Sequence, residues 1–545
     1  MTTNIEWEAT IPDAPFRQSR IWKVVASAGC GKSYQIERTI KDLVFKDGVD
    51  PANIMYLVFN KKPADAFVAE LAEAGIEDAP WVGTHHAVCR KLMKVKVLSG
   101  KDLVTWSEGA RMTLTDEEEQ GETRWDSVFR DLTKKIYEGD TKLDPLEQRF
   151  LDALRQDERE NNRFTHIRYM QLALQRQLFP HNVEYVFIDE AQDNGKIQLD
   201  YFEHLKTLPQ LKGLMIVGDD KQAINLFKGG RWDLFLNFEA DRYVCLGKTY
   251  RNAPAILTFA NKIASPIKKR SPLTTESAAS MQGNVSRCLY LENAVRDIQD
   301  GIKQKKSVFI LTRNKMYLKQ VYGVLANIGI PYESIVLDRM LHVFYAMRAL
   351  AEKMQEGKFS LSDLLQVLPP SEPMDGDLNK TAYWKAGVIE KFKKGEYDLD
   401  KADEVDLRVA YEHFQAGYDV PDLMQFGFSP RFIEDVLATL ENKIPKGKGI
   451  WRGAKNDDRV RAIENYIMRY GLNFGRVTVS HIHPIKGGEA DMVVLIKNIT
   501  PAVHRTEMSD PDEERRVWYV AATRARERLI ITQVYNTYGE MTRLL

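Results

Sequence analysis

Two separated segments carry residue types that together could hold a nucleoside triphosphate and split it. The first is Ala26-Ser-Ala-Gly-Cys-Gly-Lys-Ser33, set between an apolar run at 21–25 and a helix-like stretch that begins near Tyr34. Its glycines let backbone N–H groups turn inward on phosphate oxygens, and the helix that follows points its positive end at them. Within it, Ala28, Gly29, Cys30 and Gly31 would line the phosphates, Lys32 would neutralise the β and γ groups, and Ser33 would place its hydroxyl on Mg2+. The second is Val186-Phe-Ile-Asp-Glu-Ala-Gln-Asp193, a buried-strand pattern that ends in carboxylates. Asp189 is placed to hold the metal, and Glu190 to orient or deprotonate an attacking water. Alone, each has a plainer reading: a chance Gly-Lys-Ser turn, or an acidic strand end that caps a helix. Together and in this order they point to P-loop ATPase chemistry. Ala26 stands where the loop pattern ordinarily begins with glycine.

Such a site needs strands to aim its loops. Short apolar runs recur at 21–25, 54–59, 183–188, 214–217 and 243–246, then at 308–311, 477–480, 492–496 and 529–531, with helical patterns between them. Strands alternating with helices predict α/β cores built on parallel sheets, and the two series predict two of them. The first core is expected at 1–90 plus 181–255 and the second at 256–340 plus 471–545. Between the halves of the first lies a polar, helix-rich stretch, 91–180, without a buried-strand signal, which is expected to be a helical insertion. A second, reduced helical insertion is expected at 341–470. There Ser429 caps a predicted helix with Pro430 at its first position, a unit for plain packing or for docking on duplex. The basic segment 443–452 with Trp451 is either a solvated loop or a contact for duplex phosphates.

Length and composition agree with this division. At 545 residues the chain exceeds one core, since a domain takes about 100–200 residues. Hydrophobic residues make up 44% and charged residues 28%, which excludes a disordered chain. Lys+Arg and Asp+Glu both number 77, so any nucleic-acid groove must be basic locally rather than overall. Cys30, Cys89, Cys245 and Cys288 form no metal-ligand or disulfide pattern, and Cys30 reads as a small loop filler. A thiol inside a phosphate loop suits a reducing compartment. Residues 1–16 carry no apolar signal-peptide core, and no run of about 18 apolar residues is present. A cytoplasmic protein without a membrane span is expected, as a monomer or weak oligomer.

Further segments extend the pattern in order. They are Phe59-Asn-Lys-Lys-Pro-Ala-Asp-Ala-Phe67, Gly83-Thr-His-His-Ala-Val-Cys89 and Val217-Gly-Asp-Asp-Lys-Gln-Ala-Ile-Asn-Leu-Phe-Lys-Gly-Gly230. After them come Thr249-Tyr-Arg-Asn252, Gly329-Ile-Pro-Tyr332, His481-Ile-His-Pro-Ile-Lys-Gly-Gly-Glu489 and Glu513-Glu-Arg-Arg-Val-Trp-Tyr-Val-Ala-Ala-Thr-Arg-Ala525. With the two chemical segments, this series resembles the superfamily 1 helicases of the UvrD/Rep type over nearly the whole chain. The resemblance implies two RecA-like P-loop cores, each with a mainly helical insertion, and use of ATP and Mg2+. It gives Gln222 the sensing of the γ-phosphate, and makes Arg251 and Arg524 arginine fingers across the cleft. It also gives Tyr250 stacking on the adenine, Gln18 its edge, Glu489 the ribose, and Tyr34 a place beside the nucleotide.

For single-stranded DNA, the resemblance implies stacking on Phe59 and Phe227 and strand contacts from Asn60, Thr84 and His86. The two phenylalanines could equally be core residues. Asn225 stands where the family has tyrosine, and His85 where it has phenylalanine. The implied activity is an ATP-dependent helicase moving 3′-to-5′ on single-stranded DNA and acting at single-strand/duplex junctions, with replication, repair or recombination proteins as candidate partners. Three rivals differ in kind. A translocase would displace proteins without unwinding. A non-catalytic clamp should lack Lys32, Glu190 or a finger. A small-molecule kinase would leave the second core unexplained.

Overall fold

The computed structural model describes residues 6–59, 61–76, 78–115, 123–328, 330, 332–333, 352, 476–535 and 540–545. A first sheet contains β1 (Trp7–Glu8), β2 (Ile21–Ala26), β3 (Ile54–Val58), β4 (Trp81–Thr84), β5 (Tyr185–Ile188), β6 (Gly213–Gly218) and β7 (Arg242–Leu246). They lie side by side as β1-β7-β2-β6-β5-β3-β4, all parallel. A second parallel sheet contains β8 (Asn284–Arg287), β9 (Val308–Thr312), β10 (Val477–His481), β11 (Ala490–Ile496) and β12 (Ala525–Thr532), ordered β8-β12-β11-β9-β10. Both sheets are flanked by helices, so the α/β fold with two RecA-like cores is what the chain adopts.

The unbroken apolar runs follow from burial on both faces. In β2, Trp22, Val24 and Ala26 join Ile36, Ile40 and Leu43 of the helix Lys32–Phe45, whereas Ile21 and Val25 join Phe202 and Leu205 on the opposite face. Successive residues of β3 divide the same way, as the two-residue period of a strand requires. Lys23 breaks the apolar run of β2 at 2% exposure. Its ammonium donates to the Leu236 carbonyl and lies 5.5 Å from the Phe235 ring, and burial lowers its pKa to about 8. In the second sheet, Val493, Leu495 and Leu529 pack on the helices Pro254–Ala264 and Pro511–Ala522.

Three strands of these two sheets carry no apolar run and escape detection from sequence. β1, β4 and β8 lie at sheet edges, where one side lacks a neighbour and polar residues are tolerated. The stretch 91–180 contains helices Gly100–Gly109, Arg124–Glu138, Pro145–Asn161 and His166–Gln175 around a core that includes Leu132, Phe150 and Met170. Capping boxes at Thr123/Asp126 and Asp144/Glu147 start two of them, and Pro145 fits a first helical position. The expected second insertion, with Ser429, Pro430 and the 443–452 segment, lies outside the described residues. No described helix is long and apolar enough to cross a membrane.

Candidate active site between the two sheets

The loops that follow the central strands β2, β5 and β6 emerge together at the carboxyl ends of the parallel strands, where open α/β sheets hold ligands. After β2 the chain turns at Gly29 (φ +71°) and Gly31 (φ +77°), left-handed conformations open to glycine, and the helix Lys32–Phe45 begins. At Gly29 space also forbids a side chain, because a Cβ there would sit 2.4 Å from the Arg251 Cβ. The Tyr250 backbone N–H donates to the Gly29 carbonyl at 2.9 Å, which fastens the loop to the segment carrying both residues. Ala28 and Cys30 are buried, and burial pushes the Cys30 thiol up to about 12, which leaves it unreactive.

Lys32 meets Glu190 at 2.8 Å, although the two are far apart in sequence. Burial opposes the Lys32 charge, but Glu190, Asp189 and Asp219 outweigh it and raise its pKa above the ordinary value. Burial likewise opposes the Glu190 charge, yet the Lys32 and Lys486 ammoniums hold its carboxyl well below the usual carboxylate range. Glu190 sits at φ +53°, and its second oxygen accepts from Gln192 at 2.6 Å and faces Lys486 at 3.2 Å. Asp189 accepts from Tyr56 Oη at 3.2 Å, and Ser33 Oγ lies 3.4 Å from the same carboxylate oxygen. Those two hard oxygens suit Mg2+, which commonly takes one or two protein oxygens and completes its shell with phosphates and water. Among the described residues, no cluster of three or more His, Cys, Asp or Glu could hold a metal alone.

The second sheet closes the site. Arg524, 1% exposed, donates to Gln222 Oε1 at 3.0 Å, to the Gly488 carbonyl at 3.1 Å and to the Val520 carbonyl at 3.0 Å. Burial, with the Arg251 charge nearby, pushes its pKa down to about 9, so it stays cationic at neutral pH. Gln222 in turn donates to Asp219 at 2.7 Å. Arg251 and Arg526 both pair with Glu489, holding that carboxylate below its ordinary range against burial. Beneath the phosphate loop, Ser27 Oγ and Tyr519 Oη share a buried hydrogen bond of 2.9 Å. Nearby, Arg516 donates to the Asp220 carbonyl at 3.0 Å and lies 4.1 Å from the Trp232 ring. The resulting cavity of about 660 Å³ is lined by Gly29, Gly31, Lys32, Ser33, Asp189, Glu190, Gln222, Arg251, Glu489 and Arg524, with Tyr34 and Tyr250 also on its wall. Cations converge there from both sheets on a space beside two carboxylates, an arrangement suited to binding and cleaving a polyphosphate.

Gln18 corrects an expectation. It ends the turn Pro15–Arg17, is exposed and does not line this cavity. A left-handed Ala14 (φ 49°) leads into that turn, and the turn lines a separate cavity of about 240 Å³ with Thr39, Asp42 and Tyr185. Reading from sequence also gave no role to Lys486, which pairs with Glu190 and Asp193 and donates to the Gln222 carbonyl at 2.8 Å. Its place in the segment 481–489 was a signal, since a lysine there among apolar and glycine neighbours needs a carboxylate when buried. Tyr519 and Arg526 were likewise unassigned.

None of the described residues expected to contact a strand lines the cavity that holds Lys32. Phe227 is 47% exposed and meets His483 edge-on at 5.2 Å, bridging the two cores. Phe59 is half-buried at the end of β3, and Asn60 lies outside the described residues. The Thr84 hydroxyl caps the helix His85–Met93 by accepting from the Ala87 N–H at 3.2 Å. His86 bonds Tyr137 Oη at 2.7 Å, and burial beside His166 lowers it to about 4. It therefore offers a neutral edge at pH 7, not a cation for phosphates. Asn225 is buried, near Asp193.

His85 fills the apolar place expected for phenylalanine, 5.2 Å from the Phe202 ring, and burial lowers its pKa from 6.5 to about 3. The unfolded chain protonates His85 as pH falls through 6.5, whereas the folded chain does not until about 3. The stability this neutral histidine contributes is therefore complete above 6.5 and lost on acidification. His85→Phe should spare the protein about 2 kcal/mol of that loss at pH 5. Denaturant unfolding at pH 7 and pH 5 checks it; equal losses in both proteins would count against it.

Residues 11–178 and 167–242 match the family model described as the UvrD/REP helicase N-terminal domain, and 459–536 match the UvrD-like helicase C-terminal domain. A probable DNA helicase II homolog of Mycoplasma capricolum is 22% identical, covering 95% of this chain and 83% of that protein. The ATP-dependent DNA helicase PcrA of Staphylococcus epidermidis is 23% identical, covering 93% and 80%. The ATP-dependent DNA helicase srs2 of Schizosaccharomyces pombe is 21% identical, covering 66% and 47%.

Proposed function

Because the chain belongs to the UvrD/Rep-type superfamily 1 DNA helicases, ATP-dependent hydrolases that act on DNA, we propose that it moves 3′-to-5′ along single-stranded DNA and couples each ATP hydrolysed to opening of duplex at a junction. The polarity rests on family resemblance. The observation that carries the coupling is a cavity walled by both cores, with Lys32, Asp189, Glu190 and Gln222 on one side and Arg524, Lys486 and Glu489 on the other.

Lys32 and the loop N–H groups bind the β- and γ-phosphates, which releases Glu190 from Lys32 and leaves it beside Lys486. Glu190 then orients and deprotonates the attacking water. Ser33 and Asp189 would hold Mg2+, which supplies charge neutralisation and alignment of the phosphate oxygens. Arg251 and Arg524 stabilise charge on the transferring phosphoryl group, Gln222 links Arg524 to that group, and Tyr250 stacks on the adenine. Glu489 exchanges one of its arginines for the ribose hydroxyls. A nucleotide held by both cores favours their closed arrangement, and hydrolysis removes that preference.

Above the cleft, Phe227 and Phe59 stack bases, a contact worth about 1–3 kcal/mol per base and blind to sequence. Thr84, Asn60 and His86 touch the strand. We assign the cores to 1–90 with 181–255 and to 256–340 with 471–545, with insertions at 91–180 and 341–470. The test measures ATP hydrolysis with and without single-stranded DNA, and strand separation on 3′- and 5′-tailed duplexes. Stimulated hydrolysis and separation of the 3′-tailed duplex alone are expected. Separation of only the 5′-tailed duplex would reverse the polarity, and stimulated hydrolysis with movement but no separation would make the chain a translocase.

A further inference from the structure

A second cavity, of about 620 Å³, adjoins the phosphate loop. Its walls come from residues 7–11, the loop thiol of Cys30, Gln35 and Arg38 of the following helix, and the strand end at 245–248. Among the described residues, Tyr250 alone lines both this cavity and the one that holds Lys32. Its ring is 68% exposed, leaving a face on which a planar base can stack. A nucleotide with its phosphates on Lys32 and its base on Tyr250 therefore presents the base edge to the second cavity.

Two side chains of the helix Lys32–Phe45, Gln35 and Arg38, line that cavity, with Glu8, Lys248 and Glu276 among its other polar residues. Arg38 is engaged by Asp13. Gln35 follows Lys32 by three residues, and its backbone is fixed by an N–H bond to the Gly31 carbonyl at 2.9 Å. Among the described residues its side-chain amide has no hydrogen-bond partner, and it is half-buried. Gln18, the other glutamine near the loop in sequence, lines neither cavity.

We propose that Gln35 reads the edge of the nucleobase and sets a preference for adenine over guanine. The proposal rests on the ATP-hydrolase reading and deepens it by naming the residue that selects the base. A carboxamide offers one donor and one acceptor side by side. Adenine answers with its N6–H donor and N7 acceptor, a bidentate match. On the same edge guanine offers O6 and N7, both acceptors, so the amide oxygen would face another lone pair. A site that leaves a buried polar group unpaired rejects such an analogue.

The test is calorimetric titration of the full chain with the β,γ-imido analogues of ATP and of GTP, each with Mg2+. Gln35→Ala should weaken the adenosine analogue about tenfold and leave the guanosine analogue within about twofold, narrowing their difference. With single-stranded DNA present, KM for ATP should rise by a similar factor while kcat holds, a split that general damage to the fold would not give. Gln18→Ala should keep the wild-type difference. Unchanged affinity for the adenosine analogue in Gln35→Ala, equal weakening of both analogues, or loss of the difference in Gln18→Ala would each overturn the proposal. The binding comparison decides the role of Gln35 even if the wild-type chain were to hydrolyse nothing, an outcome that would sink the functional reading instead.

Discussion

Glu190→Gln should lower DNA-stimulated ATP hydrolysis by about a hundred- to ten-thousandfold, the range a general base contributes, while ATP still binds. The amide keeps the size of the carboxyl, and its one oxygen can still accept from Lys32, now at 2.8 Å, while the 2.6 Å bond from Gln192, which goes to the other carboxylate oxygen, is given up. It cannot take a proton from water. Loss of the charge leaves Lys32 facing Asp189 and Lys486 facing Asp193, so neither ammonium is stranded. Phosphate binding should survive or tighten, because Lys32 no longer has to leave a carboxylate. Steady-state hydrolysis with saturating single-stranded DNA, beside calorimetric ATP binding, reads both effects. Turnover near the wild-type rate would remove Glu190 from the chemistry.

Arg524→Lys should cost about 10³–10⁵ in the rate of the hydrolytic step, the contribution of an arginine finger, with ATP affinity changed far less. The guanidinium here is spread over the Gln222 side chain and the Gly488 and Val520 carbonyls, three acceptors in different directions. A lysine ammonium is a single point on a flexible stem and cannot span them while also meeting a phosphate oxygen. Keeping the positive charge avoids the larger insult of Arg524→Ala, which would leave buried acceptors without a donor. Single-turnover hydrolysis measures the step directly, and circular dichroism checks the fold. A loss smaller than about tenfold would mean that Arg524 only joins the two cores.

What could be read from sequence was the chemistry carried by adjacent residues. The phosphate loop and the Asp189–Glu190 pair sit at strand ends, and those strands announce themselves because both their faces are buried. The edge strands β1, β4 and β8 lack that signal, having polar or half-exposed residues. Gln18 was given its role by the family resemblance alone, and in the structure it follows a turn entered through the left-handed Ala14 and does not line the nucleotide cavity. Bonds between residues hundreds of positions apart, such as Ser27 with Tyr519 or Lys486 with Glu190, leave no local pattern at either end. His85 and Lys23 show the converse: a polar letter inside an apolar pattern did not mark a surface, because each is buried against aromatic rings.

The fastenings between the two cores bear on what a working cycle would cost. Ser27 to Tyr519, Arg516 to Asp220, Arg524 to Gln222 and Lys486 to Gln222 are all polar, and the apolar side chains that cross are few: Ile224 and Ala253 enter the second core's cluster and Leu273 enters the first core's. A greasy joint must be pried open against the loss of its buried area, whereas a hydrogen-bonded one can trade each partner for water at about 0.5–1.5 kcal/mol. Unzipping such a joint and zipping it again lies well inside the free energy that one phosphoanhydride bond releases, so the seam can reset on every turnover without the protein coming apart.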